Sequence, residues 1–209
     1  MNITIIGASR GIGAQVLQQA LAQGYKVTVL ARNPEKIAAH ENQHVVQGSF
    51  EEPEAVKKAV QEAEAVVVAV GVPPGRKEVT LFSQGTRNLL AACREMNSQP
   101  LIVAVTGIGA GDSAGHGGFM YDRVFKPLLL QKMYEDKDRQ EALLAQEYDN
   151  WIIVRPGFLT NGPLTGHYRV LTDLTGITAG KIARADVADF ILKQIKAPTY
   201  LRQTPLLTY

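Results

Sequence analysis

Only one cysteine, Cys93, stands among the 209 residues. That excludes an internal disulfide and a cysteine-based metal site, and it fits a reducing compartment. Cys93 falls within a helical pattern and reads as a small packed side chain rather than a nucleophile. No apolar run reaches membrane-spanning length. The first residues already read as a strand, so no signal peptide is expected. The formal net charge is only +2, which gives no reason to invoke nucleic acid or an anionic membrane. These absences point to a cytoplasmic protein with no metal site. What remains is ordinary soluble composition, 45% hydrophobic and 20% charged. Internal repeats, low-complexity tracts and linkers are missing too, so residues 1–209 are expected to form one domain with a substantial core.

Against that background the amino terminus is distinctive. Residues 2–6 read as a buried strand, and Gly7-Ala8-Ser9-Arg10-Gly11-Ile12-Gly13 follows at once. Val16, Leu17, Ala20 and Leu21 then recur at helical spacing, and residues 26–30 form a second strand. A glycine trio between a strand and a helix is the fingerprint of a dinucleotide site. Glycines allow the tight turn and let a pyrophosphate approach the backbone, while the N–H groups at the helix start face the phosphates. The expected cofactor-binding set therefore begins with Gly7, Ser9, Arg10, Gly11, Ile12 and Gly13.

A further absence refines this. Sites that prefer NAD carry an acidic residue after the second strand, where it accepts the ribose hydroxyls. Here Ala31-Arg32-Asn33-Pro34 stands instead. A carboxylate would repel a 2′-phosphate, whereas a guanidinium pairs with it in a fork. Arg32, with Arg10 in the glycine loop, favours NADP(H).

Strands and helices alternate along the rest of the chain, which predicts an α/β fold, a Rossmann-type doubly wound parallel sheet. Strands are expected at 44–47, 65–70, 101–105 and 151–154, with a final edge strand near 205–208. Helices are expected at 52–62, 79–96 and 185–195. Two stretches interrupt the alternation. Residues 107–118 contain six glycines directly after strand five and are expected to form a mobile loop over the site. Residues 160–176 are turn-rich and follow strand six on the same edge, where open α/β sheets bind ligands.

The acid system of the commonest short-chain dehydrogenases, a tyrosine with a lysine four residues later, is missing. Tyr121 is followed at that spacing by Phe125, Tyr134 by Asp138 and Tyr148 by Ile152. Tyr134 and Lys137 are three apart, which makes them neighbours on a helix face, most simply a solvated one. Thr106 is the one hydroxyl directly after strand five. It is the candidate catalytic residue, expected to orient cofactor or acceptor rather than to act as an obligatory acid. Hydride transfer would then proceed by proximity, with the proton taken from water.

The chain resembles the atypical, NmrA-like branch of the short-chain dehydrogenase superfamily, and within it the biliverdin IXβ reductase/flavin reductase family. The resemblance rests on Gly7–Gly13, on residues 27–32, on Glu141 with residues 151–157, and on Gly162-Pro163-Leu164-Thr165-Gly166-His167-Tyr168; Arg184-Ala185-Asp186-Val187-Ala188-Asp189-Phe190 is another pattern common in this branch. It implies a monomeric NADPH-dependent reductase of planar acceptors, flavins (FMN, FAD or riboflavin) or linear tetrapyrroles such as biliverdin, with flavin as substrate rather than tightly bound cofactor. By the same resemblance, Ser49, Phe50, Ala69, Val70 and Gly71 border the cofactor, with Val105, Thr106 and Gly107 at its nicotinamide half. Pro156, Gly157, Phe158 and Leu159 lie beside the nicotinamide. Gly107 stands where the mammalian member has serine, and Phe158 where it has histidine. Phe158 could stack on a planar acceptor, with Phe119 and Tyr121 as further walls. Two rivals stay open: a non-catalytic NADP(H) sensor that binds a partner protein, and an isomerase or epimerase on the same fold, which would lack its tyrosine–lysine pair.

Overall fold

In the computed structural model, Asn2–Ile6 forms β1, with four of its five residues buried. The helix α1 (Gly11–Ala22) follows, and β2 (Lys26–Ala31) returns parallel to β1. The structure describes residues 1–75, 77–118 and 121–209; at residues 121, 122, 125, 126 and 128 it describes the backbone alone.

The remaining elements are β3 (Gln43–Gln47), α2 (Pro53–Val60), β4 (Ala65–Val68), α3 (Leu81–Glu95), β5 (Leu101–Val105), α4 (Gln131–Glu147) and β6 (Trp151–Pro156). Three short strands, β7 (Phe158–Thr160), β8 (Arg169–Leu171) and β9 (Lys181–Ala183), precede α5 (Arg184–Lys196) and β10 (Leu206–Thr208). A π-helical segment, Tyr121–Leu130, runs into α4.

The main sheet has the order β3-β2-β1-β4-β5-β6-β10-β8. Its first six strands are parallel, and only β8 runs antiparallel to its neighbour. β4 and β5 are buried along their whole length because helices cover both faces. One face packs Ile5, Val67, Val103 and Ile152 under α1 and α5; the other packs Val66, Ile102 and Ile153 under α2, α3 and α4. Each such side chain contributes roughly 1.5–3 kcal/mol. The chain order reverses between β1 and β4, and the crevice opened there lies at the carboxyl ends of the strands.

Two expectations change. β10 is not an edge strand: it sits between β6 and β8. The edge is the short β8, which carries too little apolar pattern to announce itself. The first half of the glycine-rich stretch is not a mobile cover either. Residues 106–110 are buried, and Ile108 packs with Ala179 and Leu206. The Gly111 N–H donates to Asp138, and the Ala179 N–H to the carbonyl of His116. The glycines here serve close packing against α4 and the 177–179 segment.

Candidate functional site

A cleft of about 880 Å³ runs along the carboxyl ends of β1 to β6. Its floor is the loop between β1 and α1. Gly7 has φ +99°, and a Cβ there would stand 2.7 Å from the carbonyl oxygen of Ala69. A Cβ on Gly13 would meet the Gly7 carbonyl oxygen at 2.2 Å. Both positions therefore exclude any side chain, and α1 starts tight against the sheet. No described side chain caps α1, and its first turn holds no acidic residue. Its leading N–H groups are left to an anion.

Every residue expected to bind cofactor lines this cleft except Gly13, which packs behind the loop. Phe50 reaches it from a buried position against Gly85 of α3. Phe158 is 37% exposed at the rim, not a core residue. Phe119 and the side chain of Tyr121 lie outside the described residues. The lining also includes Arg10, Arg32, Lys36, Lys137 and Arg184, and among the described residues it includes no aspartate or glutamate. A lining with five cations and no carboxylate suits a ligand with several phosphates.

At the β5–β6 end the polar chemistry is dense. The Thr106 hydroxyl donates to Glu141 Oε1 at 2.6 Å. Glu141 also accepts from Arg155 Nε at 3.1 Å and Nη2 at 2.6 Å, a buried bidentate pair, and Arg155 bonds Asp112 as well. The single hydroxyl proton of Thr106 is thus committed to Glu141. Toward the cleft the residue offers hydroxyl lone pairs, while its N–H donates to the Val154 carbonyl and its own carbonyl accepts from Lys137.

Tyr134 and Lys137 do not form a solvated face. They are 6% and 8% exposed and line the cleft. Lys137 Nζ donates to the Thr106 carbonyl and lies 5.2 Å from the Tyr134 ring centroid. Burial pushes its ammonium down to about 8, against the opposing pull of Glu141. The physical reason is that α4 turns this face inward, while Asp136 at its centre reaches α3, accepting from the Phe82 and Ser83 N–H groups at 2.8 and 3.3 Å.

The sequence profile of the NAD(P)H-binding family matches residues 7–198. The chain belongs to that family. The Bacillus subtilis protein YwnB is 26% identical over 207 residues, spanning 96% of this chain and 94% of its own. Among solved structures, a short-chain dehydrogenase/reductase from Veillonella parvula in complex with NADP is 20% identical, with a TM-score of 0.82, covering 100% of this chain and 94% of that one. ChuY from Escherichia coli, described as an anaerobillin reductase, is 22% identical with a TM-score of 0.82, covering 100% and 97%. These structures share the fold of the NAD(P)H-binding chain described above.

Sequence reasoning missed several lining residues, Lys36, Arg184 and Leu81 among them. Lys36 follows Arg32 through the 3-10 turn Pro34–Lys36, which brings it back to the cleft. Arg184 opens α5 beside the glycine loop, its Nε 4.0 Å from the Cβ position of Gly11, and its Nη1 bonds Asn161 at 2.8 Å. In the sequence it stands out only as the first residue of the Arg184–Phe190 pattern. Leu81 joins from α3. The loop pattern 162–168 is explained as well. Thr165 and Gly166 donate to Asp186, and the Tyr168 hydroxyl donates to Asp189 at 2.7 Å. The two recurring patterns are the two halves of one lock.

Proposed function

We propose that this chain is an NADPH-dependent oxidoreductase that passes hydride to a planar conjugated acceptor, with flavins and linear tetrapyrroles as the candidates. The observation that carries the reading is the cleft lining, which holds five cationic side chains and no described carboxylate. Arg32 and Lys36 at the end of β2 would hold a 2′-phosphate, and Arg10 stands on the same loop edge. The α1 amino terminus and Arg184 would hold the pyrophosphate. The nicotinamide would then reach Thr106, Gly107 and Pro156. The dihydronicotinamide supplies the hydride when bound; the chain orients it and excludes water. The NADP-bound dehydrogenase and the anaerobillin reductase of the same fold agree with this reading. Alternation of strands, not a separate region, builds the whole site, which favours a single domain; a cytoplasmic monomer is the reading supported by the lone cysteine and the family resemblance.

The test is cofactor discrimination. NADPH is expected to bind far more tightly than NADH, and Arg32→Ala to remove most of the difference. One charge-assisted contact is worth about 1.5–3 kcal/mol, roughly tenfold to a hundredfold in affinity. Equal affinity for the two cofactors in the unmutated protein refutes the NADPH assignment. Steady NADPH oxidation with FMN or biliverdin separates a reductase from a non-catalytic sensor.

A further inference from the structure

Beside the dinucleotide cleft lies a second cavity, of about 550 Å³, which the cofactor assignment does not use. Arg10, Ala14 and Gln15 line it on one side, and Asn161, Gly162 and Arg184 on the other. Two guanidinium groups and two carboxamides thus border one space, and the described lining holds no carboxylate. Asp186, close by in sequence, is fully buried and committed to Thr165, Gly166 and Tyr209. Arg10, Gly11 and Arg184 belong to both linings, so the cavity adjoins the cleft. The strand β7 runs from one to the other: Phe158 and Leu159 line the cleft, Asn161 and Gly162 the cavity. From Phe158 to Asn161 the extended chain advances about 10 Å. β7 pairs with β9 in parallel, Thr160 beside Ala183, so the next residues, Asn161 and Arg184, emerge abreast. Arg184 Nη1 donates to Asn161 Oδ1 at 2.8 Å, which fixes the guanidinium on the cavity wall.

We propose that this cavity is an anion subsite for the acceptor: it takes a phosphate or carboxylate carried on a flexible side chain about 10 Å from the ring that stacks at Phe158. The proposal rests on the reductase reading above and narrows its acceptors to planar compounds with an anionic tail. Arg184 borders both spaces, so its fork of donors serves the cofactor pyrophosphate beside Gly11 and the tail beside Asn161. Arg10 supplies the second positive charge. The Asn161 oxygen is held by Arg184, which leaves its NH2 group as a donor, and Gln15 adds another. A charged tail gains charge-assisted hydrogen bonds there that an uncharged one cannot make.

Two pairs of probes isolate the tail. FMN carries a phosphate on its ribityl chain, and riboflavin has the same ring without it. Biliverdin carries propionates, and its dimethyl ester has the same conjugated system without their charge. Within a pair the ring that receives hydride is unchanged, so a difference between partners reports the tail alone.

The experiment measures KM for each of the four acceptors at saturating NADPH. With NADP⁺ in place of NADPH it also measures their Kd, from flavin fluorescence or tetrapyrrole absorbance. In at least one pair the anionic partner should show a KM and Kd roughly tenfold or more below those of the neutral one, the scale of a charge-assisted contact. The pair that discriminates identifies the group, phosphate or carboxylate. Gln15 lines the cavity but not the cleft. Gln15→Glu, which places a carboxylate there, should cut the ratio to about threefold or less and change NADPH affinity by less than about twofold. Gln18 is exposed on the same helix and lines neither space. Gln18→Glu adds the same charge and should leave the ratio as it is. Equal constants within both pairs in the unmutated protein overturn the proposal, and the reductase reading stands wherever NADPH is oxidised. A ratio that Gln15→Glu leaves unchanged, or that both variants lower equally, also overturns it, since the preference then comes from the diffuse field of the cleft. A protein that binds NADPH but oxidises it with none of the four overturns the reductase reading, and the Kd ratios then decide the subsite by themselves.

Discussion

Phe158 is the residue where the cleft meets solvent. It follows Pro156-Gly157 at the end of β6, and its backbone N–H is held by the Gly180 carbonyl at 2.9 Å. The ring is therefore fixed at its base and partly exposed at the rim. A flat acceptor lying over the nicotinamide would gain about 0.5–1.5 kcal/mol from such a contact beyond area burial. Phe158→Ala is expected to raise the KM for the acceptor roughly twofold to tenfold and to leave NADPH affinity nearly intact. An unchanged KM would remove Phe158 from the pocket. The same residue shows how far single positions were legible. Its place after an Arg-Pro-Gly turn could be read from the sequence, because a strand end and a turn are local features. The direction of Tyr134 and Lys137 could not. A spacing of three puts two side chains on one helix face without saying which face is buried.

At the scale of elements, the decisive contact is between α3 and α4. The α3 helix has no acidic residue in its first turn and no described side-chain cap from Thr80. Asp136, fully buried on α4, serves instead, accepting from Phe82 and Ser83 while Arg139 Nε donates to it at 3.1 Å. A cap borrowed from another helix fixes the rotation of α4 and so aims Tyr134 and Lys137 at the cleft. Asp136→Ala leaves two buried N–H groups without their acceptor. It should cost about 2 kcal/mol or more, read as a fall in the denaturant midpoint, with Asp136→Asn losing less. A midpoint unchanged in Asp136→Ala would show that α3 needs no such cap. This contact spans more than fifty residues of sequence, which is why it left no pattern to read. The β1-α1-β2 unit, by contrast, is made of neighbours in sequence, and the glycine spacing displayed it fully. The pairings β7–β9 and β10–β8 also join segments more than twenty residues apart, and they too were missed or misplaced.

For the whole molecule, Asp186 joins the loop at 162–168 to α5 and to the last strand. It accepts from Thr165, Gly166 and the Tyr209 hydroxyl, the last at 2.6 Å. Burial opposes its ionisation, but the hydrogen bonds from Tyr209, Gly166 and Thr165 outweigh that and hold the carboxyl below its usual value. A carboxyl depressed in the folded state stabilises the fold fully above its unfolded pKa, about 3.9, and the contribution is lost as pH falls through the folded value. The loop should therefore loosen below about pH 4. Hydrogen exchange at Thr165 and Gly166 should accelerate there, and Asp186→Asn should show faster exchange already at neutral pH. Equal protection in that variant at pH 7 would mean that the lock lies elsewhere. The cleft has a consequence of its own. The chain as a whole is nearly neutral, at +2, yet five of its cations face one crevice. The rest of the chain therefore sums to a negative charge, and positive charge is concentrated at the site. An approaching polyanion is turned toward the crevice before it touches the protein, and neutral metabolites of the same shape receive no such guidance.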